Sequence, residues 1–349
     1  MRLPRIAAHE LCSRARAASR PFFTAVASRA AQAAPTPTNA KAKQQQQKQG
    51  KKKQQQQQQK KKKQTPPAKK PAPELVAVVL PADLPATTPL YLDDTHIFTH
   101  ESARVLGVSA GPTVGKTTVV LDATIFHPQG GGQPTDLGVM RCAASGAEFN
   151  VEMVTVDRAI GIVHHVGTFA TPAQLEVGAA VALTIEEAHR RQCAVMHSGG
   201  HLLDTAMVEC GMGHLEPGKG YHFNPSGCYV EYIGLVAAEE RADLIAKLNV
   251  SLAALVAADI ATSITTLDLS TADGAGALCG LMVHPPAEAP AATPGAAPLR
   301  VVCVGGERGC GCGGTHVKST AELVGVHVTK CKVKKGRTKL SYYVGEKRE

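Results

Sequence analysis

Two histidines set four residues apart, His197 and His201, lie in the stretch from Thr184 to Cys210, TIEEAHRRQCAVMHSGGHLLDTAMVEC. Its apolar residues Ile185, Ala188, Cys193, Val195, Met196, Leu202, Leu203 and Ala206 recur at helical spacing, and Glu186, Arg190, Arg191, Asp204 and Glu209 form the polar remainder. Thr184 and Glu187 have the spacing of a capping box, which predicts Thr184 as the N-cap of the helix. Residues i and i+4 share a helix face, so both imidazoles can reach one metal ion. Such a site needs at least one more ligand, and the rest of the chain must fold so as to deliver it.

The same spacing underlies a zinc-protease motif, in which a glutamate follows the first histidine and acts as general base. Here that position is Ser198, so a metalloprotease lacks its base. Gly199 and Gly200 each cost a helix roughly 1 kcal/mol relative to alanine. Close approach of a substrate to the backbone is the expected compensation.

A second ligand pair stands near the C-terminal end. Residues 310–316 read CGCGGTH, in which Cys312 and His316 form a C-x-x-x-H pair in a glycine-rich loop. A thiolate combined with imidazoles suits Zn²⁺. Cys310 competes with Cys312, and spacing does not choose between them. The plainer reading of either pair alone is two side chains that happen to share a surface; two pairs in one short region argue against it.

The formal charge of +9 is unevenly placed. Residues 1–74 hold 18 Lys and Arg against Glu10 and Glu74, whereas the remainder holds 20 basic and 27 acidic residues. Residues 1–34, with six arginines and one acid amid Ala and Ser, have the composition of an organellar transit peptide, mitochondrial first, with plastid or cytoplasmic placement as alternatives. Residues 35–74 are a Lys/Gln-rich stretch too poor in apolar side chains to offset chain entropy, expected as a disordered linker or a weak polyanion-binding tract. Ten dispersed cysteines without a CxxC argue against a disulfide scaffold. No apolar run approaches the ~18 residues of a membrane span, so a soluble protein with no membrane partner is expected.

Between residues 75 and 183 the runs LYLDDTHIF, SARVLGVS, TTVVLDATIF, EFNVEMVTVD and VALTI read as short strands separated by turns, which suggests a small β-barrel. Within it the loop His127–Gly138, HPQGGGQPTDLG, is chemically specialised. Gly130, Gly131 and Gly132 permit close backbone approach to a ligand, and Gln133 offers both a donor and an acceptor amide. Residues 110–117, AGPTVGKT, imitate a phosphate loop, but a strand rather than a helix follows, so a hairpin turn is the better reading and no ATP is expected. After the central helix come a hairpin in GYHFNPSGCYVEYIG and an amphipathic helix over 236–259 packing on a sheet. Strands ATSITTLDL and RVVCVGG flank a floppy Pro/Ala insertion, and the chain closes on a hairpin carrying the basic cluster Lys330, Lys332, Lys334, Lys335, Arg337 and Lys339. That cluster serves either to contact phosphates or to solvate an edge.

The loop TIFHPQGGGQPTDLG, the helix segment HSGGHLLD and the late CGGTHV, in this order, resemble the editing domain of alanyl- and threonyl-tRNA synthetases, in its free-standing AlaX-type form. The likeness covers roughly residues 89–344. It implies an α+β fold: an N-terminal small β-barrel (75–183) followed by an α/β editing domain (184–349) with a zinc-bearing helix. The implied activity is hydrolysis of the ester joining a wrong amino acid, serine or glycine, to the 3′ end of alanine tRNA, without an aminoacylation domain. The likeness makes His197, His201, Cys312 and His316 the ligands of one zinc ion per chain. It makes Thr124 the reader of the serine hydroxyl and aligns Gln133 with Gly130, Gly131 and Gly132 along the aminoacyl pocket. Departures are Ser198 with its two glycines, His127 where an aromatic residue is common, and the duplicated CGCG. The alternatives are a catalytically inactive zinc-stabilised tRNA-binding protein, or the same hydrolase acting on serine-charged threonine tRNA.

Overall fold

In the computed structural model the described residues are 80 and 83–345, apart from 224–226, 285, 287 and 289. The expected transit peptide and Lys/Gln linker lie outside them. Residues Ala72–Glu349 form one compact unit.

Strands β1 (Thr88–Pro89) and β4 (Ala123–Thr124) make a short parallel pair. Six further strands, β2 (Thr99–Ala110), β3 (Thr117–Leu121), β5 (Gly138–Cys142), β6 (Ala147–Asp157), β7 (Ile162–Phe169) and β8 (Ala180–Ile185), close into an antiparallel barrel in the order β2-β3-β7-β6-β5-β8. Alternation along each strand sends Val105, Val119, Leu121, Met140, Phe149, Val151, Val181 and Leu183 inward, where they are almost wholly buried. Closure removes the exposed edges that an open sheet of this size would leave. The fold is thus α+β with a barrel, as expected. LYLDDTHIF is not a strand, however: Leu90–Leu92 form a 3-10 turn followed by further turns, and barrel pairing begins only at Thr99. The phosphate-loop look-alike is a hairpin turn between β2 and β3, closed by Gly111 N donating to Lys116 O (2.8 Å). Lys116 forms an ion pair with Glu152.

Helix α1 (Glu187–Glu209) follows β8 after a single residue. The expected cap at Thr184 is a correction: Thr184 is paired within β8, and the N-cap is Glu186 with no side-chain cap bond. The barrel ladder holds Thr184, and tertiary anchoring replaces the capping box. Four strands, β9 (Glu216–Tyr221), β10 (Cys228–Ile233), β14 (His327–Lys334) and β15 (Arg337–Tyr343), form an antiparallel sheet in the order β14-β15-β10-β9. Its inner side, including Val230, Tyr232, Leu340 and Tyr342, packs on α1 and on helix α2 (Arg241–Ala257), whose Leu244, Leu248, Leu252 and Leu255 are buried. Strands β11 (Ser263–Leu267), β12 (Leu299–Cys303) and β13 (Cys310–Gly311) make the remaining sheet. Between β11 and β12 lies helix α3 (Ala272–Leu281), capped by Thr271 accepting from Gly274 N at 3.1 Å. Its internal glycines hide it from a periodicity reading. No helix among the described residues is long and apolar enough to cross a membrane.

Candidate functional site

Arg190, His197, His201 and Asp204 stand at spacings of seven, four and three on α1, so they share one face. Arg190 and Asp204 therefore do not belong to a solvated polar face, as their charge suggested; they are 1% and 7% exposed. Arg190 donates from Nε to both carboxylate oxygens of Asp136 (3.0 and 2.9 Å) and from NH1 to Thr95 O (3.0 Å). Asp136 also accepts from His127 N at 2.6 Å. This buried pair pins the glycine loop, which starts at His127, to the helix that carries the histidines.

The glycine loop itself is a tight turn. Gly130 and Gln133 exchange both backbone hydrogen bonds (3.1 and 2.9 Å), and Gly131 and Gly132 between them take φ of +58° and +84°, values that favour glycine. A Cβ at Gly132 would come within 2.5 Å of Gly220 O, so this glycine is required by packing on β9. Gly130 and Gly131 face a cleft of about 490 Å³, whose wall also includes His127, Arg158, His197, His201, Asp204, Lys219, His222, Cys310 and Cys312. Gly132 and Gln133 face the other side of the turn.

His197, His201, Cys312 and His316 converge, with one ligand atom from each lying within 4.8 Å of all the others. Cys312 Sγ is 3.6 Å from His197 Nε2 and 3.4 Å from His316 Nε2. Cys310 is not part of this group. Its thiol faces Asp204 Oδ2 at 3.9 Å and makes a second cluster with His201 and Asp204, which answers the question left open by the duplicated CGCG.

The partners of the imidazoles assign their protons. Thr315 N donates to Gln133 Oε1 (3.0 Å), while Gln133 Nε2 donates to Thr315 Oγ1 (2.9 Å). The oxygen so identified accepts from His197 Nδ1 at 2.8 Å, leaving Nε2 with its lone pair towards Cys312. His316 Nδ1 lies 3.1 Å from Ser198 Oγ, which also accepts from Val317 N (3.1 Å). Ser198 thus serves as a second anchor. Burial and the neighbouring histidines hold His197 and His316 well below the usual imidazole range, and burial brings His201 down to about 4. Neutral imidazoles are what ligation requires. Burial pushes the Cys312 thiol up, opposed by the Gly314 amide and by Arg300, which donates from NH1 to Cys312 O (2.7 Å) and Gly314 O (3.2 Å).

Packing requires both helix glycines, of which Gly200 also lines the cleft. A Cβ at Gly199 would meet Val344 Cγ2 at 2.7 Å, and one at Gly200 would meet His222 Cε1 at 2.5 Å. His222 stacks on His197 with ring centres 4.5 Å apart. Tyr342 donates its hydroxyl proton to Met196 O (2.6 Å) and so accepts from His222 Nδ1 (2.6 Å). Nothing in the sequence marks a role for His222 or Arg300, and Asp204 reads there only as part of the polar remainder of the helix, although it sits seven residues beyond His197 and three beyond His201, on the face already marked.

Thr124 is not on the cleft wall. It is fully buried next to the barrel, where His165 Nδ1 donates to Val119 O (3.1 Å), and its own hydroxyl therefore donates to His165 Nε2 (2.8 Å) while accepting from Phe126 N (3.1 Å). With its proton committed, the hydroxyl is a support for the strand leading to the glycine loop.

In sequence, a family model described as tRNA synthetases class II (A) matches residues 26–189. The alanine–tRNA ligase of Pyrobaculum aerophilum is 29% identical over 260 residues, 73% of this chain and 26% of the ligase. That of Pyrobaculum neutrophilum is 30% identical over a stretch of the same length. That of Caldivirga maquilingensis is 40% identical over 121 residues, 35% of this chain and 12% of the ligase. The chain spans about a quarter of the Pyrobaculum relatives' length. By these relatives the chain is an alanyl-tRNA synthetase-related protein, and its motifs resemble those of the AlaX-like editing domain.

Proposed function

We propose that the protein is an aminoacyl-tRNA deacylase that hydrolyses the ester between a wrongly attached amino acid and the tRNA 3′ end, with serine- or glycine-charged alanine tRNA as substrates. The observation that carries this reading is the convergence of His197, His201, Cys312 and His316 beside the Gly130–Gly131 wall of one cleft. Three imidazoles and a thiol, two of the imidazoles fixed from behind by Gln133 and Ser198, fit Zn²⁺. When bound there, zinc supplies a Lewis acid that polarises a carbonyl or lowers the pKa of water.

The remaining work falls to the chain. Gly131 N makes no hydrogen bond among the described residues and lies at the cleft, so it supports a developing oxyanion. His222, anchored through Tyr342, presents a neutral ring to the cleft, with burial bringing its pKa down to about 3. Gln133 orients His197 and contributes no direct substrate contact. Thr124 positions the strand entering the loop.

Cations supply the RNA approach. By register, Lys219, Lys330, Lys332, Lys334, Arg337 and Lys339 share the outer face of the four-stranded sheet with the stacked pair Tyr221 and Tyr229. Lys219 and Arg158 continue the positive charge into the cleft wall. Phosphate contacts on this face and base stacking on its tyrosines suit the single-stranded acceptor end of a tRNA. The local excess of positive charge offsets the net negative charge of the sequence beyond residue 74.

The test is hydrolysis of serine-charged alanine tRNA by the protein and by its Cys312→Ala variant, with serine-charged threonine tRNA alongside. Hydrolysis of the alanine tRNA by the parent alone is the expected result. Activity confined to threonine tRNA reassigns the substrate, and no activity on either overturns the enzyme in favour of a zinc-stabilised tRNA-binding protein. Localisation to mitochondria is proposed on residues 1–34 alone and is tested by import of a fusion carrying them.

A further inference from the structure

Asp204 is the one carboxylate among the described residues lining the cleft. It is 7% exposed, and Tyr232 donates to its Oδ1 at 2.7 Å. Among the described residues its Oδ2 has only the Cys310 thiol, at a weak 3.9 Å. No lysine, arginine or protonated histidine forms an ion pair with it among the described residues. Buried carboxylates are ordinarily paired with a cation, and this one meets an open polar space instead. Burial raises its pKa to about 7, consistent with a charge that lacks its counter-ion.

Three residues separate Asp204 from His201, which places it about 4.5 Å farther along the helix axis. An aminoacyl ester carries a primary ammonium on the carbon next to its carbonyl. We infer that Asp204 is the subsite for the substrate's α-ammonium, and that the cleft thereby selects esters of free amino acids over N-acylated ones. An ammonium held at Oδ2 sets the adjacent carbonyl back along the helix, towards His201 and the ligand group. Blocking the amine with an acyl group removes both the charge and the donors. Esters of N-acylated amino acids, such as peptidyl-tRNA, are then refused by an unpaired buried carboxylate. This inference rests on the deacylase reading above and adds to it the half of the substrate that the carboxylate recognises.

The experiment compares seryl-tRNA with N-acetylseryl-tRNA on the metal-loaded parent protein and on Asp204→Asn. The parent is expected to favour the free amine by at least about 30-fold in kcat/KM, the scale for removing one partner of a buried charge pair, with most of the effect in KM. The Asn variant is expected to lose that preference through a raised KM for seryl-tRNA, and an unchanged circular-dichroism spectrum and melting midpoint show that it folds. Equal rates of the parent on both esters overturn the assignment without recourse to the variant, as does a preference retained by Asp204→Asn. Metal content is read on the same samples: two equivalents in the parent falling to one in the variant would give the carboxylate to a second cation. Cleavage of neither ester by the parent overturns the deacylase reading itself, and this inference with it.

Discussion

Gln133 Oε1 lies 2.8 Å from His197 Nδ1 and 3.0 Å from Thr315 N, so one amide oxygen joins the glycine turn, the long helix and the CGCGGTH loop. Replacing Gln133 by Ala leaves His197 free to rotate and to change tautomer. Metal affinity is expected to fall ~10- to 100-fold, the usual effect of losing the group behind a ligating histidine. Competition with a chelator measures it; unchanged affinity would show that the helix alone fixes the ring.

Removing one member of the buried Arg190–Asp136 pair strands the other. Arg190→Met or Asp136→Asn is expected to lower unfolding free energy by about 3–5 kcal/mol. The double replacement by apolar residues of similar size is expected to recover most of it, because the desolvation cost disappears with both charges. Denaturant melts of the three variants decide this, and additive losses would contradict the pairing.

His165 is fully buried, and burial brings its pKa down to about 4 from 6.5. The unfolded chain therefore binds the additional proton between these values, so stability falls as pH drops from 6.5 towards 4 and is level above 6.5. In His165→Gln this acid limb is expected to become shallower, with the remainder supplied by other buried histidines such as His201 and His222, read as the pH dependence of the denaturation midpoint. Thr124→Ala removes the hydroxyl that His165 accepts from, with an expected loss of ~1–2 kcal/mol and unchanged amino-acid selectivity. Altered selectivity would return Thr124 to the cleft.

Lys332 and Lys339 are cross-strand partners on the outer face of the sheet. Changing both to Gln is expected to weaken tRNA binding and to reduce the slope of log affinity against log salt by about 1.4 to 1.8. Titrations at several salt concentrations give the slope. An unchanged slope would assign the cluster to solvation of an edge hairpin.

The sequence carried the parts of this fold that obey a period or a turn rule. Alternation marked β2, β6 and β8, and the amphipathic pattern from Val236 marked α2. The Lys335–Gly336 turn, with both φ positive, closes the last hairpin where the basic run predicted it. Local signals misled where tertiary contacts win: Thr184 has a capping-box spacing but is claimed by the barrel ladder. Strands β5 and β7 lack distinct alternation and are defined by neighbours far along the chain. The four metal-type ligands were legible because their chemistry is scarce. Asp204 and Arg190 were not, since a charge on a helix ordinarily marks the wet side, and only three-dimensional packing shows that these two face inward. The roles of Gly199 and Gly200 needed the coordinates of Val344 and His222, more than a hundred and about twenty residues away.

The Arg190–Asp136 contact also bears on how the molecule rejects wrong arrangements. An apolar joint between barrel and helix could slide by a residue or a turn and still bury similar area. A guanidinium and a carboxylate sealed in the joint cannot, because any misregister leaves two bare charges away from water. The joint thus behaves as a keyed coupling: it admits one alignment, and that alignment sets His197 opposite Gln133.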